Sequence, residues 1–197
     1  MTFHKLSRWL LGGMLTSLLV LRGDNALAHL PNVLRAGEVF RVPDPLLSFA
    51  LYGTFARADE VFEVQLQPET PLAVPIEIMV PRQDSLTNHR PLFAIVGKGL
   101  PKPSATELAQ LPRPLPDGMG AVLGRYERED REILFESFSR RVLYTNGVVA
   151  YVLPAGDVRM WVWSPSGTTG KFVLGFGVEE GKQDFGNLIS NWGDYAY

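Results

Sequence analysis

The chain has 197 residues, a formal net charge of −2 and no cysteine, and 46 % of its residues are hydrophobic. This length suits one domain with a substantial core. The lack of cysteine excludes a disulfide framework, a thiolate metal site, a cysteine nucleophile and a cysteine-linked lipid anchor. Because Lys and Arg form no cluster, we predict neither a nucleic acid nor an anionic lipid surface as partner.

The first 28 residues have the three-part layout of a secretory signal peptide. Lys5 and Arg8 form a basic start, residues 9–21 an apolar run, and Ala26–Ala28 a small-residue cleavage site. The apolar run is shorter than the roughly 20 residues that cross a bilayer. We therefore predict cleavage after Ala28 and export to the periplasm or the extracellular space, with no membrane span in the mature chain. An uncleaved N-terminal anchor is the alternative.

The remaining residues, 29–197, are predicted to form a single all-β domain. Val61–Gln67 alternates apolar and polar side chains, the two-residue period of a strand with one solvated face. Short strands separated by Gly- and Pro-rich turns are typical of an antiparallel β-sandwich of the jelly-roll type. The predicted strands are 48–55, 61–67, 76–80, 92–96, 148–153, 158–163 and 171–176.

Two segments interrupt this pattern. Residues 101–120 contain five prolines, which predicts an ordered crossover with no more than a short helical turn at 106–111. Residues 182–197 form a polar and aromatic tail, with a short helix predicted around 185–192. Residues 125–131 mix both charge signs and are predicted to be a solvated segment.

Motifs in both halves of the domain resemble the bacterial pre-peptidase C-terminal domain. The early motifs are Tyr52–Phe55 and the acidic start of an alternating strand at Asp59–Val64. The late motifs are the turn Leu153–Asp157, the aromatic strand Met160–Trp163 and the closing strand Gly170–Leu174. The chain departs from the family pattern at position 157, where the family's turn usually continues into tyrosine, and residues 101–147 are longer than the family's middle. The resemblance implies a β-sandwich with a non-catalytic accessory or binding role and supplies no ligand.

Trp161 and Trp163 are the predicted ligand-binding residues. They share one face of their strand, while Val158, Met160 and Val162 share the other. If the Val/Met/Val face is the core, the two indoles stand exposed as a platform for a glycan or a protein partner. The alternative is that both faces are covered, or that the tryptophans are the core.

His29 and His89 are the candidate metal ligands of a second hypothesis. Cleavage after Ala28 would leave His29 as the first residue, where a terminal amine and an imidazole could chelate copper as in a histidine brace. His89 is the other histidine of residues 29–197 and would be the second ligand. The alternative is that His29 simply follows the cleavage site. The leading hypothesis expects no cofactor, and copper belongs to this alternative alone.

No catalytic constellation is visible in the sequence, so we do not predict an enzyme. There is no Gly-x-Ser-x-Gly motif, and the neighbouring carboxylates carry no sign of burial. The leading hypothesis is thus an exported, non-catalytic binding or accessory protein of the bacterial envelope. A mononuclear copper protein is the second hypothesis. The third is a structural envelope subunit that docks through its aromatic tail, 185–197.

Overall fold

A computed structural model describes residues 29–124, 131–136 and 139–179 of the chain. Within these ranges it contains twelve strands, one α-helix and one turn of 3-10 helix. The strands are β1 (Leu30–Val33), β2 (Val39–Arg41), β3 (Phe49–Phe55), β4 (Val61–Leu66), β5 (Leu72–Pro81), β6 (Leu92–Gly97), β7 (Gly120–Leu123), β8 (Glu132–Glu136), β9 (Arg141–Thr145), β10 (Val149–Leu153), β11 (Val158–Trp163) and β12 (Gly170–Phe176). The helix α1 spans Ala105–Gln110, and the 3-10 turn spans Asp84–Leu86.

The described strands form two sheets, which confirms the predicted β-sandwich. The first sheet has the order β1-β3-β12-β5-β9-β8, with β10 also paired to β5, and the second has the order β2-β4-β11-β6-β7. The seven predicted strands correspond to β3, β4, β5, β6, β10, β11 and β12. The other five strands, β1, β2, β7, β8 and β9, were not predicted from the sequence.

The sheets are not purely antiparallel, and this corrects the prediction. β1 pairs with β3, and β2 pairs with β4, in parallel register. The N-terminal segment therefore lies along one edge of each sheet in turn before the chain returns to begin β3. Its strands are three and four residues long, too short to show a clear period in the sequence.

The core lies between the sheets, where the alternating side chains of facing strands meet. Phe62, Val64 and Leu66 of β4 and Val158, Met160 and Val162 of β11 are 1 % exposed or less. Aromatic rings link the two sheets, because Phe62 packs against both Phe55 and Phe172 with ring centroids 5.1 Å apart. Burial of such rings is a strong stabilising contribution in a domain without disulfides.

A β-bulge separates β9 from β10 along the same edge of β5. Thr145 lies opposite Met79, and Val149 lies opposite Ile76, so three residues of one strand face two of the other. Gly147, in the middle of the bulge, has a φ of 86°, which glycine adopts without strain. On the β9 side of the bulge, β8 pairs with the outer edge of β9.

The crossover is ordered and carries the short helix that the proline pattern allows. Ser104 and Glu107 form a capping box at the start of α1. In the described residues, the helices are too short and too polar to cross a membrane.

Candidate functional site

The predicted tryptophan platform is wrong, because both faces of β11 are covered. Trp161 is 1 % and Trp163 is 5 % exposed. Their indoles pack in an apolar cluster on the outer face of the second sheet, and three partly buried residues of the crossover cover them, namely Leu111, Leu115 and Met119. The proline-rich crossover is thus a third layer over the face that we expected to be free.

Arg113 fastens this third layer to the sheet. Its guanidinium carbon lies 4.3 Å from the centre of the Trp161 ring, and its Nη2 donates to Glu63 Oε2. Glu63 also accepts from Arg159, at 3.4 Å. Arg159 in turn pairs with Asp157 at 3.2 Å. The amide of Gln65 donates to Asp157 and, with the Arg159 guanidinium, lowers the pKa of that carboxyl. These charged side chains pair with one another, which assigns them a structural role.

The two candidate copper ligands are not brought together. His29 Nδ1 lies 2.5 Å from Ser48 Oγ, beside the start of β3, whereas the His89 ring packs against Phe55 at the end of β3. The seven residues of β3, which separate the two histidines, span roughly 20 Å. A shared metal ion needs one nitrogen of each histidine within about 2 Å of the ion. In the described part of the chain no three metal-ligating side chains cluster. The structure therefore offers no two-histidine copper site.

His89 is instead a buried structural residue. Its side chain is inaccessible to solvent, and no described group bonds to either ring nitrogen. Burial, together with the neighbouring charge of Arg131, lowers the pKa of His89 to about 4. Arg131 also donates to the His89 carbonyl oxygen and stacks on the Tyr144 ring. The imidazole is therefore neutral at pH 7 and has no described substrate or metal to act on.

A cleft of about 630 Å³ lies beside the turn that precedes β12. Its described lining is rich in hydroxyl and amide groups, contributed by Thr54, Gln83, Ser85, Thr168 and Thr169, with Lys171 as the single charge. The described lining holds neither a carboxylate nor an imidazole, so it offers no acid–base pair.

The most unusual surface lies on β8 and β9, which sequence reasoning missed. Ile133, Leu134 and Phe135 are 57 %, 38 % and 62 % exposed, and Val142 of β9 is 37 % exposed. A short apolar run between Glu132 and Glu136 was the available signal, but a run of three does not alternate and so does not show a strand period. We call these four apolar residues the β8 surface.

The register shows to which side of the sheet each residue of the β8 surface points. Val80 lies on the core-facing side of β5, Tyr144 lies opposite Val80, and Ile133 lies opposite Tyr144. Ile133 and Phe135 therefore continue the core-facing side of the first sheet beyond β5. Leu134 points to the other side, where Leu143 is buried. Both sides of β8 thus present apolar groups.

The backbone of β8 is also open on one side. Arg82 N donates to Val142 O at 2.9 Å, so the polar groups of Val142 point toward β5. Alternation along β9 then directs Leu143 toward β8, where it pairs with Leu134. Consequently the N–H and C=O groups of Ile133 and Phe135 point away from β9. No strand in the described ranges pairs with that edge of β8.

The chain has remote structural similarity to a domain of known structure. No family model matches the chain, and no curated protein matches it. A crystal structure of the pre-peptidase C-terminal domain of a collagenase from Bacillus anthracis is similar, with a TM-score of 0.41 and 8 % identity. The match covers 72 % of this chain and 97 % of that one.

The aromatic tail of the third hypothesis, 185–197, lies outside the described residues, as do the predicted signal peptide, 1–28, and most of the predicted solvated segment.

Proposed function

We propose that this chain is an exported, non-catalytic binding module of the bacterial envelope that holds a protein partner on its β8 surface. The observation that carries the proposal is the exposure of Ile133, Leu134 and Phe135 on an edge strand. Folded proteins usually prevent another strand from pairing with such an edge by means of a lysine, a proline, a bulge or a covering loop. An edge strand that is apolar on both sides is typical of a surface that a partner covers.

The chemistry of this surface favours a protein over a glycan. Sugar rings are held by exposed aromatic faces and polar groups, but Trp161 and Trp163 lie under the crossover. The β8 surface instead combines aliphatic side chains and one phenyl ring with open backbone groups. Such a combination matches the side chains and the main chain of another polypeptide.

The proposed location rests on the N-terminal residues. A basic start, an apolar run of thirteen residues and an Ala-Leu-Ala site support export by a cleaved leader. A fold held by packing alone, without cysteine, suits the envelope of a bacterium as well as its exterior.

Site-specific photocrosslinking in the bacterium that encodes the chain tests this proposal. A photoreactive phenylalanine analogue at Phe135 should form a discrete adduct with one envelope protein, mapped by mass spectrometry to a surface segment of that protein. The same analogue at Leu108, which is 47 % exposed on α1, is the matched control and should give no such adduct.

An excess of purified wild-type chain should compete for the adduct, and an excess of the Phe135→Lys variant should not. Equal crosslinking from positions 135 and 108, or competition by Phe135→Lys as strong as by the wild type, would overturn the proposed function.

A further inference from the structure

We propose that Asn146 is a site of spontaneous deamidation and that the side chain of Thr145 slows the reaction. Asn146 and Gly147 form the one Asn-Gly pair in the sequence. They lie in the bulge between β9 and β10, where both residues are partly exposed to solvent. The site therefore has access to water, which the reaction consumes.

The reaction needs only the chain and water. The backbone nitrogen of Gly147 loses its proton and attacks Cγ of Asn146, so that an N–Cγ bond forms and the side-chain nitrogen leaves as ammonia. Water then opens the resulting succinimide ring at either carbonyl, which leaves aspartate or isoaspartate at position 146. Glycine at the attacking position favours ring closure, because it has no Cβ to obstruct the approach.

Two linked hydrogen bonds oppose the first step. Gly147 N donates to Thr145 Oγ1 at 3.1 Å, and the Thr145 hydroxyl donates to Glu77 Oε2 at 3.1 Å. Burial raises the pKa of Glu77, and the bond from Thr145 lowers it, so this bond favours the ionised carboxylate. The hydroxyl has a single proton, which Glu77 accepts. Toward Gly147 the hydroxyl presents only lone pairs, which stabilise the N–H and repel the amide anion that would attack Asn146.

Strand pairing holds these groups in place. Thr145 is 6 % exposed and lies opposite Met79 in the ladder between β9 and β5. Glu77 precedes Met79 by two residues on β5, so its side chain lies on the same side of the sheet, next to the Thr145 hydroxyl. The protection of Asn146 is therefore a property of the folded chain, and a short peptide of the same sequence should lack it.

Conversion of Asn146 would lengthen the bulge. Isoaspartate places an additional carbon in the backbone between Thr145 and Val149, which pair with Met79 and Ile76 of β5. β9 should then separate more readily from β5. Hydrogen exchange of the deamidated chain should be faster in β9 than in the fresh chain and unchanged in β11. The same exchange in β9 before and after deamidation would contradict this expectation.

Peptide mapping by mass spectrometry tests the proposal, with purified chain lacking the leader and incubated at neutral pH. Asn146 of the folded wild type should deamidate measurably, but more slowly than in a peptide of residues 143–149. Thr145→Val, which removes the hydroxyl with little change in volume, should raise the rate at Asn146 by about tenfold, the equivalent of one lost hydrogen bond. Thr145→Ser keeps a hydroxyl and should deamidate at the rate of the wild type.

A matched variant separates loss of the hydroxyl from a general loosening of β9. Leu143→Val shortens a fully buried side chain on the same strand and leaves Thr145 unchanged. Circular dichroism should show that Leu143→Val and Thr145→Val are both folded. Leu143→Val should nevertheless deamidate at Asn146 about as slowly as the wild type.

Absence of deamidation at Asn146 in the wild type and in Thr145→Val would overturn the proposed site. Equal rates at Asn146 in the wild type and in Thr145→Val would overturn the protective role of the hydroxyl. Equal acceleration in Leu143→Val and Thr145→Val would also overturn that role, because the mobility of β9 alone would then set the rate.

Discussion

At the residue scale, His89 shows how tertiary burial changes a side chain that the sequence marks as reactive. The imidazole is buried against Phe55 and has no described hydrogen-bond partner. An isolated histidine of ordinary pKa would be half protonated near pH 6.5, but this one stays neutral to about pH 4. Between about pH 6.5 and pH 4, the unfolded chain therefore binds a proton at this histidine that the folded chain does not bind.

This difference predicts a loss of stability in mild acid. As the pH falls from 6.5 to 4, the His89 contribution should lower the free energy of unfolding by about 3 kcal/mol, because the unfolded state alone gains the proton. The His89→Phe variant should flatten this pH dependence, measured by urea denaturation at several pH values. His29→Gln, which alters the other described histidine, is the control and should retain most of the slope. If the free energy of unfolding of His89→Phe depends on pH as strongly as that of the wild type, the pH dependence does not come from His89.

At the scale of an element, the crossover determines that the two tryptophans are buried. The sequence predicted an ordered, proline-rich segment with a short helix, and the structure has that segment with α1. Its position could not be predicted, because proline density limits local conformation and does not state which face a segment covers. Leu111, Leu115 and Met119 pack on the indoles. Of the alternatives that the strand pattern left open, the one in which both faces of β11 are covered is therefore correct.

Arg113 should contribute more than any other single residue to holding the crossover on the second sheet. Its contact with Trp161 combines a cation–π interaction with an ion pair to the largely buried Glu63. Arg113→Ala should therefore lower the free energy of unfolding by about 1–2 kcal/mol and shift the tryptophan emission to longer wavelength. Lys102→Ala, an exposed change in the same segment, should leave both unchanged. If Arg113→Ala behaves as Lys102→Ala does, the crossover is held by its apolar residues alone.

At the scale of the whole molecule, two sheets are held together by packing without disulfides. Phe62 of the second sheet contacts Phe55 and Phe172 of the first, so one ring connects neighbouring strands across the core. β8 is the last strand of the first sheet, and among the described strands only β9 pairs with it, which leaves the β8 surface at the edge of that sheet.

Phe62→Ala should accordingly destabilise the whole domain. Loss of a fully buried ring and the cavity it leaves predict a decrease of about 3–5 kcal/mol in the free energy of unfolding, measured by guanidinium denaturation. Val39→Ala, at a position 37 % exposed on β2, should change it by less than about 0.5 kcal/mol. Similar values for the two variants would show that this aromatic cluster does not hold the sheets together.

The sequence by itself determined the fold class, because strand periodicity and turn residues are local properties. The alternation of Val61–Gln67 became β4, and the run 158–163 became β11. Tertiary structure decided the parallel edge strands, the cover over Trp161 and the distance between His29 and His89. It also decided the β8 surface. Each of these depends on contacts between residues far apart in the chain, and periodicity within a few residues carries no information about such contacts.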